Sequence, residues 1–132
     1  MDVIVKIGLV VLDREGRMLV VLKHGGVTWL LPGGKPEGDE SDIACLVRET
    51  KEETGTDVVA GTAYLGTFSA DAADQPGRLV QLRAYRGEII GEPVAMNEIA
   101  AIRWVDATAP DVPLADSIVH GVVPALRAEG LV

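Results

Sequence analysis

The sequence predicts an α/β fold in which a mixed β-sheet is sandwiched between helices. Three observations lead there. Apolar, β-branched runs recur in pairs separated by short turns, the mark of strands. One helical segment is inserted among them and a second closes the chain. The links between runs are too short for an all-parallel sheet, so a mixed sheet with helices laid on it is the architecture that buries its apolar faces.

The elements follow in order. Residues Val3 to Leu12 form a mostly apolar run and should be a strand; Asp13-Arg14-Glu15-Gly16-Arg17 is a turn, and Met18 to Lys23 a second strand, so the pair reads as a hairpin. A loop at His24-Gly25-Gly26 leads to a short strand, Thr28 to Leu31, stopped by Pro32-Gly33-Gly34. A helix is expected from about Ser41 to Thr54, with Ser41 or Asp39 as its cap, acidic residues in its first turn and Gly55 at its end. On a helical wheel Ile43, Leu46, Val47 and Thr50 share one side and are expected to face the core, with Glu49, Glu52 and Glu53 opposite. Val58 to Ser69 contains a strand broken near Gly61, and Asp71 to Gly77 reads as an exposed loop. Arg78 to Glu88 and Ile99 to Val105 are further strands, the latter reached through a loop from Gly91. Residues Ala109 to Pro113 link to a closing helix, Ala115 to Glu129, that Pro124 can kink.

Composition narrows the function. A chain of 132 residues is most simply one domain, 1–132, and its 48% hydrophobic and 24% charged content is that of a water-soluble globule. No run is long enough to span a membrane, and Met1 to Lys6 lacks the basic start of a secretory signal. A single cysteine, Cys45, excludes an intrachain disulfide framework and fits a reducing cytoplasm. The formal charge of −8 argues against a nucleic-acid polymer as partner, because such binding relies on Lys and Arg at the phosphates. A small phosphorylated ligand stays open to an acidic protein if metal ions reverse the local sign.

The most informative segment is residues 34 to 56. Glu49, Glu52 and Glu53 fall at i, i+3 and i+4, so one helix face carries three carboxylates. Their repulsion calls for a hard divalent cation such as Mg²⁺. A solvated acidic face is the plain alternative for a Glu-x-x-Glu-Glu string taken alone. Here Gly34, Glu40, Arg48 and Gly55 stand in fixed register with it, which weighs against coincidence.

That segment resembles the Nudix box, G-x5-E-x7-R-E-U-x-E-E-x-G-U, where U is bulky and apolar. Every charged and glycine position is filled, while Thr50 and Thr56 depart from the pattern at U positions. Thr50 lies among the core-facing positions, so packing rather than activity is affected. The resemblance implies a Nudix fold and Mg²⁺-dependent hydrolysis (Mn²⁺ being the alternative ion) of a diphosphate linked to a nucleoside. It implies that Glu49, Glu52 and Glu53 hold the metal, that the Gly34 carbonyl reaches it, and that Arg48 orients carboxylates together with Glu40. The compact size resembles the branch of that family that sanitises nucleotide pools, which implies a nucleoside triphosphate as substrate, with ADP-ribose, another nucleotide sugar or dinucleotide, or a binding module without turnover as the rivals. Many members of that family form homodimers, so a homodimer is expected here too.

Residues outside the box are less constrained. Glu98 is the candidate general base, with Glu92 and Asp74 competing and an ordinary surface carboxylate as the simpler reading. Lys23 and His24 end the second strand near the expected cleft and could meet phosphate or base; both also suit an ordinary strand end. Lys35, beside the metal loop, could contact phosphate or stay solvated. Trp29 could stack on a nucleobase or pack partly buried, an ambiguity shared by Phe68 and Tyr85, whereas Trp104 belongs to the core. The resemblance adds Asp116 and Ser117, at the start of the last helix, as base contacts. Cys45 is read as a small buried hydrophobe under the metal loop, since Mg²⁺ prefers oxygen.

Overall fold

The computed structural model describes residues 2–72 and 75–132. Its elements are β1 (Val3–Val10), β2 (Arg17–Lys23), β3 (Gly33–Gly34), α1 (Asp42–Thr54), β4 (Asp57–Val58), β5 (Ala63–Asp71), β6 (Leu79–Arg86), β7 (Ile89–Ile90) and β8 (Ile99–Asp106). A π-turn at Ile118–Val122 then runs into α2 (Val123–Ala128). Four strands form the main sheet in the order β3-β1-β6-β5. The central pair, β1 and β6, is parallel and both outer pairs are antiparallel, so the sheet is mixed as expected. Two smaller antiparallel pairs, β2 with β8 and β4 with β7, complete the architecture.

Strand β1 shows why both sheet faces need cover. Side chains alternate along a strand, and here both sets are apolar. Ile7, Leu9 and the following Val11 pack with Leu19 of β2 and with Cys45 and Leu46 of α1. Ile4 and Val10 point the other way, into a cluster with Val80, Leu82 and Ala84 of β6 and Ile118, Val122 and Leu126 of the C-terminal helix. Each such buried aliphatic side chain contributes about 2 kcal/mol. One helix on each face is the result, an α/β/α sandwich.

The expected hairpin of β1 and β2 forms only its turn. Asp13 Oδ1 accepts the Glu15 and Arg17 amides at 3.0 and 2.8 Å, and Leu12 bridges Met18. Beyond that the strands part, because β1 already has partners on both edges: β6 on one, and the 32–34 segment on the other, where Leu9 N–H donates to Pro32 O at 2.8 Å. Strand β2 therefore takes β8, in a register running from Arg17 opposite Asp106 to Lys23 opposite Ile99. Thr28 to Leu31 makes single bridges rather than a strand, Leu30 with Val21 and Trp29 with Leu114.

Helix α1 starts and stops where its local chemistry dictates. Ser41 Oγ accepts the Ala44 amide at 3.1 Å, and Gly55, at φ 74°, donates to Lys51 O. Its facing differs from the helical-wheel expectation. Leu46 and Thr50 are buried, but Ile43 and Val47 are 41% and 43% exposed, and Glu53 is inside at 2%. The helix is rotated so that Cys45, Leu46, Glu53 and Thr54 form its inner face with Thr50, whose Oγ1 is buried without a partner. Apolar periodicity misjudged the inward direction because a buried carboxylate occupies it.

The C-terminal helix changes its hydrogen-bond pattern just before Pro124, which lacks an N–H. Val123 N–H reaches back to Ile118 O, one residue further than in an α-helix, which makes a π-turn before the proline. Gly121 rides on Phe68 so closely that a Cβ there would lie 2.5 Å from its ring. Among the described residues no helix is long and apolar enough to cross a membrane.

Candidate active site

The site is built around a glycine pair. Gly33 adopts φ 148°, and a Cβ on it would stand 2.0 Å from Ile7 O, so only glycine lets β3 lie against β1 there. Its amide donates to Glu53 Oε1 at 2.9 Å. At Gly34 a Cβ would stand 2.6 Å from Glu49 Cδ, so the loop backbone and the Glu49 carboxylate meet with no side chain between them. Cys45 is fully buried beneath, its thiol donating to Gly34 O at 3.6 Å. The Gly34 carbonyl thus points at least partly to sulfur. Burial, with the Glu40 charge adding, pushes the Cys45 thiol up to about 12.

Three carboxylates converge on this loop. One oxygen each from Glu49, Glu53 and Glu98 lies within 4.8 Å of the others. Burial pushes the Glu53 carboxyl up to about 8, against the Gly33 amide and the Lys23 charge, while Glu49 and Glu98 push it further up. Glu49 is raised too, chiefly by burial, with Arg48 opposing. An all-oxygen group of this density, open beside a side-chain-free loop, suits a hard divalent ion of the Mg²⁺ or Mn²⁺ class. Glu52 stands apart from the three, its side chain 51% exposed and only 3.4 Å from Arg48.

Arg48 binds the helix to the loop before it. Its guanidinium forks onto Glu40 with two bonds of 2.9 Å, donates to Glu49 Oε1 at 2.8 Å, and reaches Lys35 O at 3.2 Å. Hydrogen bonding from Arg48 holds the Glu40 carboxyl down at about 2, and the reciprocal bond raises Arg48 beyond its already high value. Glu40 touches none of the three converging carboxylates through any hydrogen bond; it fixes the arginine that fixes Glu49.

A cleft of about 760 Å³ opens over Glu49, Glu53 and Glu98. Lys23 and Lys35 line it, as do Lys6, Asp71, Gln75 and Ser117. His24, Trp29 and Asp116 do not. His24 is exposed and tied through its amide to Glu98 O, and Asp116 is exposed. Trp29 packs partly buried on the core, and its backbone bonds Pro113 and Ala115. Of the rival bases, Glu92 is exposed away from the cleft and Asp74 lies outside the described residues. Phe68 packs on the core beneath Gly121, and Tyr85 donates to Asp42 at 2.6 Å. Lys6 escapes motif reading altogether; its one sequence signal is a lone charge within an apolar strand.

The buried carboxylate sets the pH dependence of the metal-free protein. Glu53 titrates near 4.5 when unfolded and near 8 when folded. Between those values the fold holds a proton that the unfolded chain has released, so stability falls as pH rises through that window. In chelator, the melting temperature is expected to drop between about pH 5 and pH 8, and Mg²⁺ to raise it most at the upper end. Scanning fluorimetry across pH checks this, with Glu53→Gln, which removes the charge, as the variant that should lose the slope.

Residues 3–125 match the family model described as NUDIX domain. The mRNA-decapping enzyme subunit 2 of Arabidopsis thaliana is 31% identical over 116 residues, covering 87% of this chain but 31% of that protein. This chain therefore spans about a third of that relative's length. The CTP pyrophosphohydrolase of Escherichia coli K12 is 27% identical over 123 residues, covering 89% of this chain and 85% of the relative. Among solved structures, a MutT NUDIX hydrolase from Burkholderia pseudomallei superposes with a TM-score of 0.77 at 23% identity, over 96% of this chain and 98% of that one.

Proposed function

This chain belongs to the NUDIX family, and from that premise we propose that it is a Mg²⁺-dependent hydrolase of a diphosphate linkage in a small nucleotide-type substrate. A nucleoside triphosphate is the substrate this reading selects, giving a monophosphate and pyrophosphate. The observation that carries it is the convergence of Glu49, Glu53 and Glu98 at the mouth of the cleft. Mg²⁺ held by Glu49 and Glu53 would neutralise the diphosphate and lower the pKa of the attacking water, and Mn²⁺ suits the same donors.

The chain's own groups do the rest. Arg48 holds Glu49 in place, and the Gly33 amide fixes the orientation of Glu53. Lys23 and Lys35 offer positive charge to phosphate oxygens along the cleft. Glu98 is the exposed member of the three, so it takes the proton from water as the new P–O bond forms and the bridging P–O bond breaks. A volume of about 760 Å³ accommodates one nucleotide.

The E. coli CTP pyrophosphohydrolase, matched over most of both chains, supports the triphosphate. The net charge of −8 disfavours an RNA body as the bound group, so the cap hydrolysis named for the plant relative is the weaker alternative. The reading includes a cytoplasmic location. A panel of nucleoside triphosphates, ADP-ribose, dinucleoside polyphosphates and capped RNA, assayed with Mg²⁺ and with Mn²⁺, tests it. Pyrophosphate release from triphosphates should dominate. Faster turnover of capped RNA or ADP-ribose would reassign the substrate, and full activity in excess chelator would sink the metal chemistry.

A further inference from the structure

We propose that Asn97 is a positioning residue that carries Glu98 into the carboxylate group by pinning the 94–98 loop to the C-terminal end of α1. The last carbonyls of a helix lack partners within it. Here the loop supplies them in sequence. Val94 N–H donates to Thr54 O at 3.0 Å, Met96 N–H to Glu53 O at 3.1 Å, and the Asn97 side-chain amide to Glu52 O at 2.7 Å. The carbonyls of two box glutamates are therefore held by the loop that bears the third member of the carboxylate group.

Asn97 has two further properties that suit the task. It is the one non-glycine residue with positive φ among those described, at 53°, a conformation asparagine tolerates better than most. That turn reverses the chain between the helix end and β8. Its carbonyl lies 3.2 Å from His24 Nε2, and the next carbonyl, Glu98 O, accepts the His24 amide at 3.0 Å. Immediately after, the pairing of β8 with β2 skips a residue between Ile99 and Ala101, a bulge of the kind that re-aims a neighbouring side chain. Glu98 is thus held between a pinned loop and a bulge, and among the described residues Asn97 supplies the side-chain hydrogen bond from the loop to α1.

The proposal takes its meaning from the hydrolase reading, but its test does not need turnover. In the metal-free protein Glu98 adds to the repulsion on Glu49 and Glu53. Glu98→Gln should therefore raise the melting temperature in chelator by about 3 °C. Asn97→Gly keeps the positive φ and removes only the amide. In that background Glu98→Gln should have no effect on melting, because Glu98 no longer sits in the group. Mn²⁺ affinity, read by electron paramagnetic resonance, should fall about tenfold in Asn97→Gly, and the double variant should equal Glu98→Gln alone. Additive effects of the two substitutions in either measurement would overturn the proposal, as would an unchanged Mn²⁺ affinity in Asn97→Gly. A wild-type protein that hydrolyses none of the nucleotides would sink the hydrolase reading and leave the melting cycle to decide this one.

Discussion

Replacing Glu53 with glutamine is expected to lower kcat by about a thousandfold, a loss of about 4 kcal/mol of transition-state stabilisation. Glutamine keeps the acceptor oxygen for the Gly33 amide and the volume that fills the buried site, so the protein should fold. What it removes is the negative charge that a cation would need. Steady-state kinetics beside a melting curve separate the two effects, and wild-type turnover in Glu53→Gln would rule out the carboxylate mechanism. Glu52→Gln belongs in the same experiment. Its half-exposed side chain stands outside the three converging carboxylates, so a loss as deep as that of Glu53→Gln would mean that it leaves Arg48 to join them.

Gly33→Ala is expected to destabilise the fold by about 4 kcal/mol or more, or about 15 °C in melting temperature. The added methyl would meet a β1 backbone oxygen at 2.0 Å, and the backbone conformation at φ 148° is one that alanine rarely adopts. Neither conflict can be relieved by turning a side chain. Gly34→Ala is the instructive contrast. There the three atoms nearest the methyl all belong to the Glu49 carboxylate, so the fold should survive while the carboxylate is displaced and activity is lost. Chemical denaturation of both variants checks the difference; equal stability would show that β3 can separate from β1 at little cost.

The limits of α1 were readable because they are local: Ser41 and Gly55 act within one turn of the helix ends. Its facing was not. Periodicity assumes that apolar residues point inward, and Glu53 violates that assumption, turning Ile43 and Val47 out to solvent. The β1–β2 pairing failed for a related reason. Which strand fills the edge of β1 is decided by Pro32 and by β6, some 20 and 75 residues along the chain, and a turn at Asp13 carries no information about either. Within the box, spacing alone set Glu49 and Glu53 on one helix. That Glu98 meets them depends on the 94–98 loop crossing the helix end, a contact between segments about 45 residues apart. Trp29 lies off the cleft because its backbone is committed to Pro113 and Ala115, which no local pattern discloses.

The thiol under Gly34 has a use beyond packing. It is the chain's one cysteine, fully enclosed and held far from its thiolate form. An alkylating reagent can reach it only when the 33–35 segment or α1 itself moves away, so the labelling rate counts those openings. The protein thus carries, beneath the loop on which its carboxylates converge, an internal clock that needs no engineered probe and that a bound cation would slow.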